Sequence, residues 1–134
     1  MEEDPGLREK TDRILRATER AYGFIPVVNQ VLSTRPDLFV PSATMSRAIL
    51  EGDGELDRKT RYLCAISAAT AIGGEHCIDV QMRHAVDAGA TRDEVIESIM
   101  IGSMMAYTRA QSYALRKYAE NFGIDIEEPP RHRC

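Results

Sequence analysis

A chain of 134 residues with 43% hydrophobic and 28% charged side chains has the size and composition of one globular domain, spanning residues 1–134. At this length about two-thirds of the unfolded surface is buried on folding, so neither a disulfide nor a metal staple is required. The balance of 17 basic against 21 acidic side chains, net −4, argues against a nucleic-acid binder, which carries a basic excess. No apolar run approaches the ~18 residues that cross a bilayer, and the acidic start Met-Glu-Glu-Asp-Pro is unlike a signal peptide. The expected compartment is the cytoplasm.

The chain reads as all-α, about six to seven helices, with no sustained period-two alternation and no Asn-Gly or Asp-Gly hairpin turn. Asp4-Pro5 supplies an N-cap and a first-turn proline, and Gly23 a stop, which predicts a helix over about 6–22. Leu7, Ile14, Ala17, Ala21 and Tyr22 form its apolar stripe. Pro26 opens a short helix carrying Val27, Val28, Val31 and Leu32, ended by Arg35-Pro36. A third helix is expected from about Pro36 to Leu50, either kinked at Pro41 or beginning only after it. Gly52-Asp53-Gly54 is a break. Asp57 then caps a helix over about 58–72, with Leu63, Ile66, Ala69 and Thr70 on one side and Gly73-Gly74 as terminator. Residues 76–88 form the other arm of a central helix hairpin and stop at Gly89. Thr91 and Glu94 spell a capping box. The helix it starts sends Val95, Ile96, Ile99 and Met100 inward and continues, with a break expected at Gly102-Ser103, to Phe122. Its last part has Tyr107, Ala110, Ala114, Tyr118 and Phe122 at helical spacing. Ile124 to Cys134 reads as a loose tail.

Three cysteines without a Cys-x-x-Cys spell neither a zinc ribbon nor a disulfide framework. Cys64 lies mid-helix among apolar neighbours, where packing is its expected role. Cys134 belongs to the tail. Cys77 falls in the first turn of its helix, where orphan amides and the macrodipole favour a thiolate, the nucleophilic form. Glu75 and Asp79 oppose that charge, and His76 and Arg83 support it if they turn toward the sulfur. Cys77, Gln81 and His84 share one side of the helix, with His84 about 10 Å from Cys77 by helix rise. The alternative is a small buried thiol, a Gln81 satisfied by backbone and a His84 at the surface. No metal site or cofactor is implied, because His76, Cys77 and His84 lack a fourth ligand and a zinc-like spacing.

Leu56-Asp-Arg-Lys-Thr-Arg-Tyr-Leu, the Ala-rich helix after it, and Gly-Glu-His-Cys-Ile-Asp-Val-Gln-Met-Arg-His-Ala-Val-Asp-Ala-Gly-Ala-Thr-Arg-Asp-Glu-Val resemble the carboxymuconolactone decarboxylase and AhpD-like alkylhydroperoxidase family. The resemblance is specific over residues 56–105 and looser upstream, at Tyr22-Gly-Phe-Ile-Pro-Val and Arg35-Pro-Asp-Leu. It implies an all-helical fold that assembles into homo-oligomers, trimers or hexamers. AhpD-like members pair a Cys-x-x-Cys with a histidine and a glutamate. Carried over by position, the second cysteine is Cys77, the first is Gly74, the histidine is Gln81 and the glutamate is Tyr62. A second register puts Cys77 first and His84 at the histidine, with Val80 replacing the other cysteine. The Leu-Asp-Arg-Lys-Thr and Gly-Ala-Thr-Arg-Asp-Glu runs favour the former. Either way the dithiol is absent.

The resulting expectation is a peroxidase-like oxidoreductase using Cys77 alone, with Tyr62, Glu75 and Gln81 as further catalytic residues and His76, His84 and Arg83 as accessory groups. Its partners are a small-molecule substrate and an external thiol electron donor, with no nucleic acid and no membrane. A lactone-acid decarboxylase of aromatic degradation is the alternative, with Tyr62 and Gln81 as donors and Arg61 or Arg83 holding the acid. A third reading is a binding or assembly module that keeps the scaffold without catalysis.

Overall fold

The computed structural model describes residues 5–127. Asp4, the expected cap of the first helix, and residues 128–134 of the expected tail lie outside the described residues. Those described form six helices and no strand: α1 Pro5–Tyr22, α2 Val27–Leu32, α3 Pro36–Glu51, α4 Arg58–Ile72, α5 Glu75–Asp87 and α6 Arg92–Phe122. The fold is all-α, and the two arms of the expected hairpin, α4 and α5, fall within a residue of their expected bounds. None of the described helices is long and apolar enough to cross a membrane. The chain divides into two compact units, Met1–Tyr62 and Leu63–Cys134.

In the first unit α1 and α2 pack on α3. The inward line of α1 is Leu7, Thr11, Ile14, Thr18 and Tyr22, with Thr11 buried, whereas Ala17 and Ala21 of the expected stripe are exposed. Thr11 is tolerated inside because its hydroxyl donates to the carbonyl of Leu7 at 2.9 Å, which removes the cost of an unpaired buried oxygen. The third helix begins at Pro36 and runs through Pro41, with Phe39 as its buried anchor. Asp57 caps α4 as expected: its carboxylate accepts from the Thr60 amide at 2.9 Å and the Thr60 hydroxyl at 3.1 Å. Those bonds hold its carboxyl below the usual carboxylate range. The cap is therefore intact at neutral pH and is lost only as pH falls through that lowered value.

In the second unit α5 packs on α6. Along α4, Ile66 and Ala69 are buried with Leu63 and Thr70 half-buried, as the spacing predicts, but Cys64 is exposed. It shares the outer side of the helix with Ala68 and Ile72, so the packing role expected for this thiol does not hold. The inner seam of α6 is Ser98 and Gly102. The Ser98 hydroxyl donates to the Leu63 carbonyl, and Gly102 lies so close to α4 that a Cβ there would run into the Ser67 carbonyl. The expected break at Gly102-Ser103 is thus a backbone contact inside a continuous helix of 31 residues. Because this seam faces α4, Val95 and Ile99 are half-buried beside it. Ile96 and Met100, expected to point inward, are 58% and 59% exposed.

The capping box forms as spelled. The Glu94 carboxylate accepts from the Thr91 amide at 2.8 Å, and the Thr91 hydroxyl accepts from the Glu94 amide at 3.1 Å. Thr91→Ala is expected to cost about 1 kcal/mol, read as a lower midpoint in urea. An unchanged midpoint would show that the box contributes nothing to holding α6.

Candidate active site

The turn between α4 and α5 sets the position of the thiol. Gly73 takes φ 79°, a left-handed conformation that terminates α4 and favours glycine. Gly74 then adopts φ −81°, ψ 72°, and the Glu75 amide donates back to the Gly73 carbonyl at 3.1 Å, an inverse γ-turn. Helix α5 starts at Glu75, and no side chain caps it. Cys77 is its third residue, exposed and not in a disulfide. The reading of Cys77 as a small buried side chain does not fit this position. The thiol stands at the surface, on the end of a helix whose dipole favours negative charge.

Around it, Glu75 and His76 are exposed titratable groups of the same turn. Arg83 is engaged: its guanidinium donates to Asp79 at 3.2 Å across one helical turn, an exposed ion pair of small stabilising value. Gln81 and His84 are half-buried, and Val80 and Ala85 are the residues of α5 that enter the core. The side-chain oxygen of Gln81 is buried without a hydrogen-bond partner. An acceptor in that condition costs about 1–3 kcal/mol, so Gln81 is not the backbone-satisfied residue of the structural alternative.

Tyr62 belongs to the first unit and is 1% exposed. Arg58 Nε donates to its phenol oxygen at 3.2 Å, and the guanidinium lies 5.7 Å from the ring centroid, within cation–π range. Arg58 was not among the expected site residues. Its i, i+4 spacing to Tyr62 on a helix was the available signal. Arg61, expected as a carboxylate holder in a decarboxylase, donates instead to the Gly52 carbonyl and ties down the loop before α4. Of the expected residues, Glu75, His76, Cys77, Gln81, Arg83 and His84 share α5, while Tyr62 sits in its own buried setting on α4. Among the described residues no group of three His, Cys, Asp or Glu side chains is disposed to hold a metal ion.

Gly74 leaves open the space next to the thiol. A Cβ built on it would stand 3.5 Å from Cys77 Cβ, 3.6 Å from Ala69 Cβ and 3.7 Å from the Ala69 carbonyl oxygen, all ordinary van der Waals separations.

Residues 36–120, well over half of the chain, match the model of the carboxymuconolactone decarboxylase family. A curated relative, "Uncharacterized protein 4 in cox locus" of Paracoccus denitrificans, is 29% identical over 77 residues, covering 58% of this chain and 69% of the relative. No solved structure matches.

Proposed function

The chain belongs to the carboxymuconolactone decarboxylase family, and from that premise we propose that it is a single-cysteine, thiol-dependent peroxidase-type oxidoreductase, acting as one domain in the cytoplasm. The observation that carries this reading is the exposed Cys77 thiol at the uncapped N-terminus of α5. In the reaction, the Cys77 thiolate attacks one oxygen of a hydroperoxide and the O–O bond breaks. The sulfur is oxidised to a sulfenic acid, and the departing alkoxide takes a proton and leaves as an alcohol. In this reading Glu75 or His76, exposed in the same turn, supplies that proton. Gln81 offers hydrogen bonds without titrating; Tyr62, the further catalytic residue expected from the sequence, is buried and accepts from Arg58. No second thiol stands in the motif, so an external thiol condenses with the sulfenic acid, releasing water. A further external thiol frees Cys77 by exchange.

The decarboxylase reading needs a cation to hold the substrate carboxylate. Both of its candidates, Arg61 and Arg83, are engaged, with the Gly52 carbonyl and with Asp79. Cys77→Ser is the deciding variant. Reduction of an organic hydroperoxide in the presence of a monothiol is expected to fall to the uncatalysed background, while Cys64→Ser keeps the parental rate. A Cys77→Ser protein that turns over at the parental rate overturns the proposal.

A further inference from the structure

The buried side-chain oxygen of Gln81 has no hydrogen-bond partner, and among the described residues no other buried side-chain oxygen or nitrogen lacks one. Folded chains rarely leave such an acceptor orphaned, and a redox or catalytic role is among the few reasons that they do. Position 81 lies one turn after Cys77 on the same face of α5, where side-chain roots stand about 5–6 Å apart. Long helical side chains lean toward the N-terminus and cover the turn before their own, so Gln81 runs toward the turn that carries the sulfur. The reduced Cys77 thiol does not pair with it. On the other side of Cys77 along this face stands Gly74, whose built Cβ would be 3.5 Å from Cys77 Cβ.

Oxidation changes what the sulfur can offer. A thiolate only accepts hydrogen bonds, and a thiol donates weakly. The sulfenic acid, Cys–S–O–H, carries a hydroxyl donor one atom further out. Its two exits differ in protonation. An external thiolate attacks the sulfur of the neutral acid in line with the S–O bond, forms the S–S bond and releases the oxygen, which is protonated to water. The ionised sulfenate instead attacks a second hydroperoxide: it gains an oxygen, becomes a sulfinate that thiols do not reduce, and the peroxide leaves as an alcohol. A hydrogen bond to the neutral form disfavours the ionised one. An acceptor at the hydroxyl therefore steers Cys77 toward the thiol exit.

We propose that the Gln81 side-chain oxygen accepts the hydroxyl of the Cys77 sulfenic acid, keeps it neutral and protects it from a second oxidation. This rests on the peroxidase reading of Cys77, whose motif has no second thiol and so requires a sulfenic acid that lasts until an external thiol arrives. With the oxygen drawn to Gln81, in-line attack on the sulfur comes from the Gly74 side, where residue 74 has no side chain to obstruct it. The reduced chain carries the unpaired acceptor and the oxidised chain satisfies it.

The test compares the parent with Gln81→Met, close in size but without a strong acceptor, and with Gln81→Glu, which keeps an acceptor oxygen. All three carry Cys64→Ser and Cys134→Ser and are treated with hydrogen peroxide in the absence of thiol. Mass spectrometry of the Cys77 peptide measures sulfinic acid against sulfenic acid trapped as its dimedone adduct. Gln81→Met is expected to raise that ratio roughly fivefold, what one hydrogen bond of ordinary net strength is worth, with Gln81→Glu within about twofold of the parent. In urea, reduced Gln81→Met is expected to unfold at a higher midpoint than the parent, because an orphaned acceptor is gone. A parental ratio in Gln81→Met overturns the proposal, as does a rise in Gln81→Glu equal to that in Gln81→Met. A lower urea midpoint for Gln81→Met overturns it too, since the oxygen is then already paired in the reduced chain. A parent whose Cys77 peroxide does not oxidise overturns the peroxidase reading itself, and the role of Gln81 with it.

Discussion

Gly102→Val is expected to destabilise the chain by about 3 kcal/mol or more, the upper range for overpacking. Helix propensity alone gives the opposite sign, since glycine inside a helix is worse than alanine by about 1 kcal/mol. Packing decides. The nearest atoms to a Cβ at this position are the Ser67 carbonyl oxygen and carbon, followed by Thr70 Cβ at 3.1 Å. A flexible side chain could swing away, but a helix carbonyl is fixed by its own ladder, so α6 must move off α4. The Ser98–Leu63 bond one turn away is then stretched as well. Against a typical total of 5–15 kcal/mol, such a loss is large. Urea unfolding followed by circular dichroism measures it. A Gly102→Val chain as stable as the parent would show that the two backbones do not touch there.

The same glycine shows where the sequence was legible and where it was not. Helix ends were readable because their causes are local. Asp57 and Thr60 are three residues apart, Thr91 and Glu94 likewise, and each pair forms the bond its spacing predicts. Glycine signals both a helix stop and a close approach, and only the position of α4 separates the two at Gly102. Sidedness was readable only where apolar residues fell on a single side. On α4 they did, and Ile66 and Ala69 are buried. On α6 they fall on two sides, and spacing alone does not tell that Ile96 and Met100 lie on the exposed one. Along α1 the small Ala17 and Ala21 gave way to Thr11, whose hydroxyl is satisfied within its own helix. At the candidate site, spacing gave the placement of Cys77 in the first turn of α5, but not its exposure, nor the engagement of Arg83 with Asp79. Exposure and pairing depend on what packs against a helix, which its own sequence does not contain.

Gly74→Cys is expected to form a disulfide with Cys77 under mild oxidation. The backbone at residue 74, φ −81° and ψ 72°, is open to any L-residue. The built Cβ lies 3.5 Å from Cys77 Cβ, at the short end of the roughly 3.5–4.5 Å that disulfides span. The neighbouring Ala69 Cβ and carbonyl oxygen, at 3.6 and 3.7 Å, are touched but not displaced. In a Cys64→Ser background, which removes the other exposed thiol of the described residues, oxidation should protect Cys77 from alkylation until a reductant is added. Alkylation of Cys77 at the parental rate after oxidation would sink the expectation. The chemistry has its own readout. If Cys77 is the thiol that peroxide oxidises, its sulfenic acid now condenses with the neighbouring thiol, releasing water and closing the disulfide internally. Turnover should then run on a dithiol reductant and lose its dependence on monothiol concentration. A bridge that forms without any turnover would leave the geometry of the turn intact and remove the peroxidase reading.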